Sequence, residues 1–125
     1  MMLKEIGTFL QSQGIGTLGA NLFLGLMPDQ PDNCIALFEY AGSPPDLHWN
    51  GEYPGLQVRV RNKSYAAGRA KIKEVVTELH GAHELTLNGT RYLLIKARGS
   101  PEVLKRDNNN RVELFVNFEI IKESD

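Results

Sequence analysis

Two rhythms of apolar and polar residues alternate along this chain. Over residues 2–13, Leu3, Ile6 and Leu10 recur at helical spacing with Phe9 beside them, and the glycines at 14 and 16 stop the pattern. Residues 21–27 (NLFLGLM) form a short apolar run closed by Pro28, and residues 34–40 (CIALFEY) a second one; both predict strands. Residues 56–62 alternate cleanly. Leu56, Val58 and Val60 take one face and Gln57, Arg59 and Arg61 the other, as in a strand with one buried and one wet side.

The rhythm then returns to a helix. Ser64 stands where an N-cap belongs, Tyr65, Gly68, Ile72, Val75, Val76 and Leu79 share one side, and Gly81 follows as a C-terminal cap. Residues 91–98 predict a strand entered through the turn LNGT, residues 103–104 a short strand, and residues 111–121 a long one. In that last strand Val112, Leu114, Val116, Phe118 and Ile120 oppose Glu113, Phe115, Asn117 and Glu119. The order helix, strands, helix, strands predicts one α+β domain over residues 1–125, a mainly antiparallel sheet covered by two helices.

With 42% hydrophobic and 23% charged residues, this is the composition of an ordinary globular chain. The run from 15 to 27 is too short and too interrupted to span a bilayer. Net charge is only −1 but unevenly spread. From Glu5 to Val58 there are six acids (Glu5, Asp29, Asp32, Glu39, Asp46, Glu52) and no Lys or Arg; from Arg59 to Lys73 there are six bases (Arg59, Arg61, Lys63, Arg69, Lys71, Lys73) and no acid. Two readings follow: a patchy solvated surface, or complementary faces through which copies join head to tail and close a ring. A total charge near zero argues against a nucleic-acid-binding module.

Catalytic constellations are missing from the pattern. GIGTLG at 14–19 has the glycine spacing of a phosphate loop but follows a helix and precedes none. His80 and His83 straddle a helix-ending glycine, too few and too poorly placed for a metal. Cys34 is flanked by apolar residues and reads as a buried structural thiol. The sequence therefore predicts no enzyme and no cofactor.

One stretch resists both rhythms: GSPPDLHWNGEYPG, residues 42–55, with three of the six prolines and the single Trp. Proline lowers the ordering cost of a loop that meets a partner, and Trp is enriched among interface anchors. Trp49 and Tyr53 are therefore expected either to touch a neighbouring protein or to fold back over the sheet.

EYPGLQVRVRNKSYAAGRAKIKEVVTEL (52–79), the strand-loop CIALFEYAGSPP and the ending GSPEVLKRDNNNRVELFVNFEII together resemble the phage minor capsid or tail terminator proteins. The resemblance implies a small α+β sandwich, a structural role in the virion and assembly in the host cytoplasm. It implies a ring, usually of six copies, on the head-proximal end of a tail tube. The ring stops tube growth and meets the head-tail connector, and DNA passes through without sequence recognition. The expected protein interface comprises Trp49, Tyr53, Asp46, Arg59, Arg61 and Arg69. A head-completion or neck protein at the portal is the competing virion role.

Overall fold

The computed structural model describes residues 1–124. The elements are α1 (Met2–Ser12), β1 (Leu22–Leu24), β2 (Cys34–Ser43), β3 (Gly51–Asn62), α2 (Tyr65–Leu79), β4 (His83–Leu87), β5 (Thr90–Ala97), β6 (Glu102–Arg106) and β7 (Val112–Glu123). One seven-stranded sheet runs β1-β2-β3-β7-β5-β4, and β6 joins it through β7. The long β7 thus carries β3 on one edge, while β6 (against 112–115) and β5 (against 118–122) share the other.

The sheet is mixed: mainly antiparallel, with one parallel pair at an edge. β1 lies parallel to β2, with Leu22, Phe23 and Leu24 opposite Ile35, Ala36 and Leu37; the remaining ladders are antiparallel. The loop between β1 and β2 doubles back, and two buried arginines hold it. Arg61 donates to the carbonyls of Pro28 (2.6 Å), Pro31 (2.7 Å) and Asp32 (3.1 Å). Arg111 donates to the Asp29 carbonyl and to Asp29 Oδ1 at 2.9 Å. These bonds satisfy carbonyls that would otherwise lack partners in a folded-over loop.

Alternation along the strands builds the core. Leu56, Val58 and Val60 of β3 are fully buried between Ile35 and Leu37 of β2 and Leu114, Val116 and Phe118 of β7. Each such side chain contributes roughly 1.5–3 kcal/mol through burial. Ile6 and Leu10 of α1 and Ile72, Val75 and Leu79 of α2 enter the same cluster. α1 rests on β1, β2 and β4, and α2 on β3, β5 and β7. Gly68 permits the second approach: a Cβ there would stand 2.9 Å from Leu114 Cδ1.

Ser64 caps α2 as expected, its hydroxyl accepting the Ala67 N–H at 3.2 Å. Gly81 lies one residue beyond the cap, at φ 83°, and donates its N–H to Ile95 O. Several strands differ from the sequence pattern, β2 and β6 among them, which run to Ser43 and over Glu102–Arg106. β1 stops at Leu24 because Gly25 turns to φ 77°. β4 is an additional strand before the turn at Asn88–Gly89. β3 begins five residues early, at Gly51, and so absorbs Pro54. Proline is tolerated there because Tyr53 and Pro54 fall in a gap of the β3–β7 register, where no ladder N–H is required.

Candidate assembly surfaces

The stretch that fits neither rhythm is the end of the β2–β3 hairpin. Residues 44–50 form its tip, and Leu47 is 93% exposed. A hydrogen-bonded chain of side chains fixes that tip. The Trp49 indole N–H donates to the Tyr53 hydroxyl at 3.0 Å, and that hydroxyl donates to Asp46 Oδ2 at 2.6 Å. Asp46 Oδ1 accepts the His48 N–H at 2.7 Å, and the Asp46 N–H bonds the Gly51 carbonyl at 3.1 Å. The Trp49 and Tyr53 rings meet edge to face, centroids 6.5 Å apart. The Tyr53 hydroxyl holds the Asp46 carboxyl below its ordinary range, and Asp46 in turn pushes the Tyr53 phenol up.

Glycine makes this folding possible. A Cβ at Gly51 would overlap the Trp49 indole, and one at Gly55 would overlap the Tyr40 ring. Both aromatics therefore lie over bare backbone, a placement that protects strand glycines. Trp49 folds back over Gly51 at the start of β3, yet remains 36% exposed. The indole is thus held in one orientation by its own hairpin.

The basic residues have different surroundings. Arg59 is half-buried on the outer sheet face, its guanidinium 4.7 Å above the Phe38 ring and its Nε bonded to Gln57 Oε1 at 2.7 Å. Arg61 shares that face but is only 4% exposed, beneath the loop at 28–33, and its Nε and Nη2 donate to that loop's carbonyls. Arg69 donates to Pro101 O at 3.1 Å and ties α2 to the start of β6. The structure brings Asp46, Trp49 and Tyr53 together; it does not bring Arg59, Arg61 or Arg69 to them.

Much of the charge asymmetry closes within the chain itself. Asp29 and Asp32 meet Arg111 at 2.9 and 3.3 Å, Asp32 also meets Lys63 at 3.4 Å, and Glu52 meets Lys122 at 3.0 Å. Glu5 accepts from Thr90 and Tyr92 at 2.9 and 2.7 Å. Among the described residues, Glu39 is an acid of the first half with no ion pair or side-chain hydrogen bond.

Two surfaces have no sequence motif. A cleft of about 450 Å³ lies between the hairpin base and β7, lined by Tyr40, Tyr53, Pro54, Arg98, Phe118 and Glu119. The Tyr40 hydroxyl, foremost, and Glu119 keep the Arg98 guanidinium above its ordinary pKa. The second surface is β6, exposed along its whole length, with Val103 at 48% and Leu104 at 42%. Only the pairing of Val103 and Leu104 with turn residues on both sides hinted at it in the sequence.

Cys34 is buried, and burial pushes its thiol up against the lowering effect of Arg61 and Arg111. His80 Nδ1 accepts the Ala97 N–H at 2.9 Å, while His83 turns to Gly81 O. Among the described residues no group of three His, Cys, Asp or Glu side chains converges, and no helix is long and apolar enough to cross a membrane.

Comparison with known proteins places this geometry. No curated protein matches the chain. Among solved structures, a chain from the virion of a native gene transfer agent particle shares the fold, with a TM-score of 0.67 at 17% identity, over 85% of this chain and 81% of that one. The family described as bacteriophage tail terminator protein matches residues 9–124. With all but the first residues and the last covered, the chain belongs to the bacteriophage tail terminator family.

Proposed function

We propose that copies of this chain close into a ring of six on the head-proximal end of a phage tail tube. There the ring ends tube polymerisation and presents a docking surface for the head-tail connector, with a central hole through which DNA passes without sequence recognition. The subunit is a structural component, not a catalyst.

The observation that carries this reading is the preformed hairpin tip. Asp46, Trp49 and Tyr53 hold an exposed apolar end, Leu47 and the open edge of the indole, in one conformation. Ordering a loop on binding costs free energy, and a tip already ordered avoids most of that cost. A buried aromatic anchor ringed by polar groups is also the usual make-up of a binding hot spot. The tip is assigned to contact with the neighbouring subunit or the tube, and Arg59 to the same assembly through its outer sheet face.

Gold-labelled protein mixed with assembled tail tubes tests this by electron microscopy. Label at one end of each tube is the expected result. Label scattered along the tube wall, or none bound, overturns it.

A further inference from the structure

β2 and β6 each leave an unpaired strand edge, and the two edges differ in character. In β2, Ile35 N–H bonds Asn21 O and Leu37 O accepts from Gly25 N–H, so alternate residues turn their backbone groups toward β1. β1 ends at Leu24, opposite Leu37. Glu39, next in the same parity, therefore turns its N–H and C=O toward an edge that no strand among the described residues occupies. Its side chain is exposed.

β6 pairs with β7 on one side only. Every residue in it is exposed, two of them apolar, followed by Lys105 and Arg106. It is nevertheless held in place at both ends. Arg69 bonds the Pro101 carbonyl, and Arg106 bonds Asn110 Oδ1 at 3.2 Å across the turn. An ordered, uncovered strand bearing Val and Leu is a template for pairing with another chain. β4 is a poorer candidate. Glu84 breaks it with φ 49° and adds an acid where Glu39 calls for a base.

We propose that adjacent subunits join by strand addition, β6 of one copy pairing with the open β2 edge around residues 38–41 of the next; this rests on the ring reading above. Arg106 approaches Glu39 of the neighbour, while Lys105 stays with Glu113 of its own chain at 3.7 Å, and Val103 and Leu104 are covered. The two edges are different surfaces, so the contact is heterologous and repeats around a closed ring. They also lie at different heights. β6 flanks residues 112–115 of β7, whereas the open part of β2 is level with Asn117 and Glu119. Successive subunits are therefore staggered and their strands tilted, the geometry that closure of a sheet demands.

Cysteine cross-linking on tail tubes tests the pairing. Ala41→Cys and Leu104→Cys are made separately; the native Cys34 is buried and stays silent. Either variant alone should give no disulfide dimer under mild oxidation, and their mixture should give one. In parallel, Glu39→Lys or Arg106→Glu alone should lower ring occupancy at tube ends about tenfold, and the two together should restore it. Rings that form at tube ends yet show neither the mixed disulfide nor the charge-swap rescue overturn strand addition and leave the terminator reading standing. A wild-type chain that never forms a ring on tubes overturns both.

Discussion

The Tyr53 hydroxyl donates to the Asp46 carboxylate at 2.6 Å, across the end of the β2–β3 hairpin. Because the same hydroxyl accepts the Trp49 indole N–H, one phenol orients both the acid and the aromatic. Tyr53→Phe removes both bonds and keeps the ring. The expected outcome is an unchanged thermal unfolding midpoint, a change in Trp49 fluorescence and weakened attachment to tubes. Trp49→Ala should likewise leave the monomer folded and weaken assembly; a globally unfolded variant would instead mean that the indole supports the fold.

The same bond gives the tip a pH dependence. Asp46 titrates below its ordinary 3.8 in the folded chain. A depressed carboxyl stabilises the folded form above its unfolded pKa, and that contribution is lost as pH falls through the lower folded value. The fluorescence of Trp49, the only Trp, should therefore report loosening of the tip below pH ~4, and Asp46→Asn should abolish that transition.

Gly51 should resist even the smallest side chain. A Cβ there overlaps the indole, and Gly51 needs no positive φ, so the backbone accepts alanine while the ring cannot stay. Gly51→Ala is expected to swing Trp49 into water, shifting its emission to the red, with little change in far-ultraviolet circular dichroism.

Arg61 carries a structural load. Its guanidinium is buried and serves three carbonyls of the loop at 28–33. Hydrogen bonds to charged donors contribute about 1.5–3 kcal/mol each, non-additively, so Arg61→Ala should cost on the order of 3 kcal/mol. Urea unfolding measures it as a lower midpoint at constant slope.

The sequence made the two helices and the long strands legible because each buries one side, and burial at a fixed period leaves a periodic trace: Leu3, Ile6 and Leu10 for α1, Val112 to Ile120 for β7. Elements stabilised by other means left no such trace. β4 is five residues with little burial, recognisable chiefly from the Asn88–Gly89 turn that follows it. The start of β3 was hidden by Pro54, whose acceptance depends on a register gap that only the folded sheet defines. Parallel pairing of β1 was invisible because the residues that hold the connecting loop, Arg61 and Arg111, lie far along the chain. The hairpin tip was half legible: a lone Trp among prolines marked the place, but the relay through Tyr53 to Asp46 needs the turn to be drawn. Charge was the least reliable guide. Six acids followed by six bases left two readings open, a patchy surface or two faces, and Asp29, Asp32 and Glu52 pair with cations of the same chain.

Tube length is the most direct test of the proposed role. Tail-tube protein is polymerised with increasing amounts of the purified chain, and lengths are read from micrographs. Growth that halts as the chain is added, with a ring of density capping one end, is the predicted result. Tubes that lengthen equally with and without it, bare at both ends, would contradict the account.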